Sequence, residues 1–168
     1  MPRGELKLII GNMFGNKTGR LILEIETLRQ FGKRRVLVLK PDTDTRSGEC
    51  LIRDYHGKSM EAFDVPARDP WVALRIVREK EAEAGSRFNL IAFDEVQFFA
   101  PDSGFFRVVD ELLERGYGVL ASGLALDFKG DLSGPRCCSS GSAGATTTAS
   151  GSPRFARNAA RRRRCRSA

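Results

Sequence analysis

The chain has 168 residues, 41% hydrophobic and 29% charged, which is typical of a globular protein with a core of its own. It contains no apolar run near the roughly 18 residues of a membrane-spanning helix, and its first strand begins too early for a signal peptide, so we expect a cytoplasmic protein without a membrane span. The net charge of +7 comes from residues 136–168, whose eight arginines face no acid and whose removal leaves 20 basic against 21 acidic residues. The rest of the chain therefore shows no basic excess of the kind that nucleic-acid-binding cores have.

The first part of the chain predicts a strand, a helix and a second strand. The apolar run Leu6–Ile10 is typical of a short buried strand, and a helical period follows the turn at 11–18 and stops at Gly32. The β-branched run Val36–Leu39 predicts the next strand. A strand–helix–strand unit of this length predicts two parallel strands with a right-handed crossover.

Five further elements complete an α/β alternation. Turn residues around His56-Gly57 indicate a hairpin, and the remaining apolar periods indicate a helix, a strand, a helix and a strand. In chain order these elements cover 50–63, 71–84, 88–93, 104–115 and 117–122. We therefore predict an α/β fold over residues 1–135, namely a three-layer domain of the P-loop NTPase type with a mostly parallel sheet.

A glycine-bearing turn lies between the first strand and the first helix and reads Gly11-Asn12-Met13-Phe14-Gly15-Asn16-Lys17-Thr18. Strand, turn, Lys-Thr and helix are the layout of a phosphate-binding P-loop, whose backbone N–H groups point at phosphates. Lys17 is expected to reach the β- and γ-phosphates and the Thr18 hydroxyl to hold Mg²⁺. Asn16 replaces the usual glycine, and asparagine is the next most tolerant residue of positive φ. The alternative is a glycine-rich turn that happens to contain Lys-Thr.

An acidic pair, Asp94-Glu95, ends the apolar strand at 88–93. An aspartate at a strand end, in a chain with a P-loop, is the Walker B pattern, so Asp94 is expected to bind Mg²⁺ across the sheet edge from Thr18. Open α/β sheets bind their ligands at that edge. Glu95 follows at once and is a candidate general base for an acceptor hydroxyl. The alternative is an acidic pair that only caps the next segment.

Five motifs, taken together and in order, resemble those of a known family. They are Gly11-x-Met13-Phe14-x-x-Lys17-Thr18, Lys40-Pro41 with Asp44-Thr45-Arg46, Asp94-Glu95-Val96-Gln97-Phe98-Phe99, Gly123-Leu124 with Asp127-Phe128, and Gly134-Pro135. The chain resembles the type II thymidine kinases, which are cytosolic, tetrameric, P-loop deoxynucleoside kinases, over about residues 5–135. The resemblance implies ATP-dependent phosphorylation of thymidine to thymidine 5′-monophosphate, with ATP and Mg²⁺ as cofactors and a homo-oligomer as the assembly.

The resemblance also implies a role for each matching residue. Glu95 would take the proton from the thymidine 5′-hydroxyl, and Thr18 and Asp94 would hold Mg²⁺. The implied ATP and phosphate site comprises Gly11, Asn12, Met13, Phe14, Gly15, Asn16, Lys17, Thr18, Asp44, Arg46, Asp94 and Gln97. The implied nucleoside pocket is lined by Met13, Gln97, Phe98, Leu124 and Phe128. For Phe98 and Phe128, plain packing in the core is the alternative.

Residues 136–168 depart from the family. Their Arg, Ser, Gly and Ala composition has no hydrophobic period and predicts disorder, with weak nucleic-acid contact through the arginines as an alternative. The cysteines at 50, 137, 138 and 165 form no C-x-x-C pair, so no zinc site is expected. The family continues at this point with a zinc-binding domain whose loop closes over thymidine.

The tail composition is what a GC-rich coding sequence gives when it is read out of frame. We therefore hypothesise a frameshift near codon 135, which would remove the zinc domain and the closing loop. Without that loop, water would reach the site and the acceptor hydroxyl would be poorly positioned. The alternative function is accordingly a catalytically inactive nucleotide-binding remnant without an acceptor site.

Overall fold

The computed structural model describes residues 2–12, 14–44 and 50–124. Strands in these ranges are β1 (Leu6–Gly11), β2 (Val36–Pro41), β3 (Leu51–Arg53), β4 (Ser59–Glu61), β5 (Phe63–Val65), β6 (Leu90–Phe93) and β7 (Gly118–Leu124). Helices are α1 (Lys17–Gln30), α2 (Val72–Ala84), α3 (Phe105–Glu114) and a 3-10 turn at Val96–Phe98. None of the described helices has the length and apolar character needed to cross a membrane. The predicted tail at 136–168 lies outside the described residues.

The main sheet has five strands in the order β1-β7-β6-β2-β5, and every neighbouring pair is parallel. Strands β3 and β4 form a separate antiparallel pair. The α/β fold with a mostly parallel sheet is therefore confirmed. Because the strands are parallel, the segments that follow β1, β2, β6 and β7 all leave the sheet at one edge.

The central strands are buried on both faces, and alternate residues enter two different cores. Val36 and Val38 of β2 face α1, where Leu21, Ile22 and Ile25 of that helix pack. Leu37 and Leu39 face the other side, which α2 and α3 cover. This period of two along the apolar run Val36–Leu39 is what a sheet between two helical layers requires, and it accounts for the three-layer architecture.

Two predictions from the sequence need correction. The run at 59–63 was expected to give one hairpin strand, but it divides at the buried Ala62: Ser59–Glu61 form β4, and Phe63 begins β5, which joins the main sheet beside β2. Strand β1 was expected to be buried, but Leu6, Leu8 and Ile10 are 42%, 54% and 55% exposed. The reason is that β1 is the last strand of the sheet, and no described helix covers that face.

Candidate functional site

The turn between β1 and α1 is closed by its own backbone. The Gly15 N–H donates to the Asn12 carbonyl at 3.0 Å, and the Lys17 ammonium donates to the same carbonyl at 3.1 Å. The Lys17 side chain is therefore folded back along the turn and is 7% exposed. Such a turn, at the positive end of a helix, presents N–H groups and a cation to an anion.

Asn16 adopts the backbone conformation for which the P-loop normally uses glycine. Its φ of 47° and ψ of 39° are left-handed, and its side chain makes no capping hydrogen bond to α1. A Cβ atom added to Gly19 would lie 2.3 Å from the Asn16 side-chain oxygen. The glycine at 19 therefore gives room to the side chain that Asn16 brings into the loop.

Asp94 lies at the end of β6, directly across the sheet edge from the start of α1. The Thr18 hydroxyl donates to one carboxylate oxygen at 3.0 Å, and the other oxygen accepts from the Ser122 hydroxyl and, at 3.0 Å, from the Glu95 N–H. The carboxyl group is 2% exposed, and this burial raises the pKa of Asp94 to about 6. The group lacks a positive partner among these contacts, which is the environment of a carboxylate that holds a cation.

The donor set suits Mg²⁺. The Thr18 hydroxyl and the Asp94 carboxylate are hard oxygen ligands, and Mg²⁺ is typically held by one or two such groups together with waters and substrate phosphates. The described residues contain no cluster of three or more His, Cys, Asp or Glu side chains that would form a complete cage. The site thus fits a metal that arrives with a nucleotide.

Glu95 begins the 3-10 turn in a left-handed conformation, with φ of 50°. A non-glycine residue in this region costs about 1–3 kcal/mol and marks a constrained position. The Gln97 amide holds it: its Nε2 donates to the Glu95 carboxylate, and its Oε1 accepts the Leu124 N–H at 3.1 Å. Gln97 therefore links the candidate base to the end of β7.

Asp44 reaches the same edge from the loop after β2. It is 4% exposed, and its carbonyl accepts a hydrogen bond from the Lys40 ammonium at 3.0 Å. Lys40 is 1% exposed and lies 3.6 Å from the Asp64 carboxylate. The buried lysine thus secures the start of the loop that carries Asp44.

One cavity of about 270 Å³ collects most of these side chains. Its described lining comprises Phe14, Asn16, Lys17, Thr18, Asp44, Arg53, Asp54, Tyr55 and Glu95. Asp94 joins this group through Thr18, and Gln97 joins it through Glu95. The structure therefore brings the P-loop, the aspartate loop and the acidic pair to one place.

Not every residue in the sequence-based site lies at this cavity. Phe98 is 39% exposed and does not line it, whereas Leu124 lines a different, apolar groove beside β1. Met13, Arg46 and Phe128 lie outside the described residues. Sequence reasoning missed the second wall, which Arg53, Asp54 and Tyr55 supply from the β3–β4 hairpin. The sequence predicts a hairpin between Asp44 and the next helix, but the direction in which this hairpin leaves the sheet depends on the long-range packing of Ile52 against α1.

Comparisons of the sequence with known proteins identify relatives of this chain. The thymidine kinase family model matches residues 4–137. A thymidine kinase of Thermococcus kodakarensis is 40% identical over 131 residues, covering 77% of this chain and 62% of the relative. A thymidine kinase of Pyrobaculum aerophilum is 36% identical over 128 residues, covering 75% of this chain and 63% of the relative. A thymidine kinase of Mycoplasma capricolum is 32% identical over 127 residues, covering 76% of this chain and 57% of the relative.

The chain thus spans about three fifths of the length of the curated relatives it matches. The matched part includes the P-loop, the acidic pair and the hairpin. The chain belongs to the thymidine kinase family.

Proposed function

We propose that the protein catalyses the ATP-dependent phosphorylation of thymidine to thymidine 5′-monophosphate. The observation that carries the proposal is the convergence of Lys17, Thr18, Asp44 and Glu95 on one cavity, with Asp94 bonded to Thr18 behind them. The thymidine kinases of Thermococcus kodakarensis and Pyrobaculum aerophilum match this part of the chain.

The residues have separable tasks in this reaction. The turn N–H groups and Lys17 bind the β- and γ-phosphates, and Thr18 and Asp94 are the groups that would hold Mg²⁺. Bound Mg²⁺ neutralises negative charge on the phosphates. Glu95 accepts the proton of the 5′-hydroxyl while the hydroxyl oxygen bonds to the γ-phosphorus. The bond from the γ-phosphorus to the bridging oxygen breaks, and ADP leaves.

A Glu95→Gln variant tests this assignment. Glutamine keeps the size and the contact with Gln97 but cannot take a proton, so thymidine-dependent ADP release should fall by about 10²–10⁴-fold. ATP binding should stay close to that of the unsubstituted protein. Glu114→Gln is the matched control, because Glu114 is exposed on α3, and it should retain full activity. Undiminished activity of Glu95→Gln would remove Glu95 from the mechanism.

The second candidate function is nucleotide binding without turnover. It needs only the phosphate side of the cavity, where Lys17 and Thr18 lie at the turn. If the unsubstituted protein binds ATP in a Mg²⁺-dependent way but releases no ADP when thymidine is added, this second function is correct. The tetrameric assembly, the cytoplasmic location and weak nucleic-acid contact through the tail stay predictions.

A further inference from the structure

The β3–β4 hairpin forms the wall of the cavity that faces the P-loop. Arg53 is the last residue of β3 and pairs with Ser59 of β4. Its neighbour Ile52 is fully buried in the core that contains α1. Because side chains alternate along a strand, Arg53 lies on the opposite face, where it lines the cavity together with Lys17 and Thr18.

Hydrogen bonds within the hairpin and an ion pair to α1 position the hairpin that carries Arg53. The Asp54 carboxylate accepts the N–H groups of His56 and Lys58 at 2.9 and 2.7 Å, which closes the turn. The Lys58 ammonium forms an ion pair with Glu26 of α1 at 2.5 Å. Helix α1 begins at Lys17, so the helix that pairs with the hairpin also starts at the P-loop.

The charged side chains that line the cavity indicate what Arg53 can bind. Lys17 and Arg53 are the cations among the described lining residues, against the carboxylates of Asp44, Asp54 and Glu95. A nucleoside triphosphate carries more negative charge than Lys17 alone can offset beside those carboxylates. Arginine presents a planar fork of donors that matches phosphate oxygens in pairs.

We propose that Arg53 binds the terminal phosphate of the bound nucleoside triphosphate and thereby distinguishes the triphosphate from the diphosphate. The proposal rests on the proposed function, since it places Arg53 in the same phosphate site. A diphosphate keeps the P-loop contacts to its β-phosphate but offers Arg53 no γ-phosphate oxygen to bind. Arg53 therefore favours ATP over ADP and withdraws charge from the phosphoryl group as it is transferred.

Binding of ATP and of ADP, measured separately by calorimetry in Mg²⁺, tests the proposal without turnover. In Arg53→Gln the affinity for ATP should fall by about tenfold or more, the usual loss for a charged phosphate contact, while that for ADP should change by less than about threefold. Arg53→Lys, which keeps the charge and loses the fork, should lie between. Retained ADP binding shows that the variant is folded and that its P-loop is intact.

Arg75→Gln is the matched control, because Arg75 is exposed on α2 and pairs with Glu79 of the same helix; the variant should bind both nucleotides as the unsubstituted protein does. Equal losses for ATP and ADP in Arg53→Gln, or no loss, would overturn the role of Arg53 and leave the proposed function standing. Failure of the unsubstituted protein to bind ATP would overturn both.

Discussion

The negative charge of Asp94 lowers the stability of the folded protein, whereas the proposed reaction uses that charge to hold Mg²⁺. Burial raises its pKa from 3.8 to about 6, against the opposing hydrogen bonds from Ser122 and Thr18. The folded protein therefore binds this proton more tightly than the unfolded chain does, and ionisation costs stability. A shift of about two units corresponds to roughly 3 kcal/mol. The cost is absent below pH 3.8 and complete above about pH 6.

The Asp94→Asn variant should be more stable than the unsubstituted protein when divalent metal is absent. Asparagine has nearly the same shape and carries no charge, so at pH 8 the free energy of unfolding should rise by about 1–3 kcal/mol. The gain should shrink as the pH falls through the interval between about 6 and 3.8. Urea titrations with a chelator at pH 8 and at pH 4.5 would measure it.

Asp110→Asn serves as the control, because the Asp110 side chain is 62% exposed in its pair with Arg3. Its effect should stay within about 0.5 kcal/mol at both pH values. A less stable Asp94→Asn protein at pH 8, or a difference that does not vary with pH, would contradict the burial argument.

The sequence reveals some site residues and hides others for a physical reason. The spacing of the motifs predicts three site residues, Lys17, Thr18 and Asp94. Each of them lies in a short segment whose local geometry depends on neighbouring residues. Arg53 acts through the direction in which a hairpin leaves the sheet. That direction is fixed by Ile52 packing against a helix far away in sequence, which no local pattern contains.

The β3–β4 hairpin is the element on which the second cavity wall depends. Its two strands have three residues each, too few to hold a two-stranded ribbon in place alone. The turn is closed by the Asp54 carboxylate and by Gly57, whose φ is 87°. The Asp54 side chain therefore contributes to the turn that keeps Arg53 at the cavity.

Replacing Asp54 with alanine should loosen that turn. Two backbone N–H groups lose their acceptor, so the free energy of unfolding should fall by about 1–2 kcal/mol. Amide exchange at His56 and Lys58 should accelerate, and ATP affinity should weaken because Arg53 is no longer held. Asp54→Asn is the control: its side-chain oxygen still accepts both N–H groups and should preserve stability and slow exchange. If both variants behave alike, charge rather than the turn geometry is what matters at residue 54.

The boundary between β4 and β5 could not be predicted from the sequence. The sequence of 59–63 predicts one strand, and the change of sheet occurs at Ala62, which is fully buried. An alanine at that point looks like any other strand residue. What separates β4 from β5 is the pairing of Leu39 with Phe63 in the main sheet, a long-range contact. The helical periods, by contrast, correctly gave α1, α2 and α3 to within two residues.

At the scale of the whole molecule, the sheet is unevenly covered. Helix α1 packs on one face, and α2 and α3 pack on the other, but the described helices leave the second face of β1 open. Leu6, Leu8 and Ile10 line an apolar groove there with Phe106.

An edge strand with an exposed apolar face is a site of self-association. Leu8→Lys should therefore raise the protein concentration at which light scattering begins by severalfold, with a change in unfolding free energy of less than about 1 kcal/mol, because Leu8 is already 54% exposed. Leu23→Lys on α1 is the control, since Leu23 is 62% exposed but belongs to no open strand edge. Equal gains from the two substitutions would show that general charge, and not the β1 edge, limits solubility. A gain confined to Leu8→Lys would trace association to β1, because unpaired backbone groups and an exposed apolar face occur together on that edge strand.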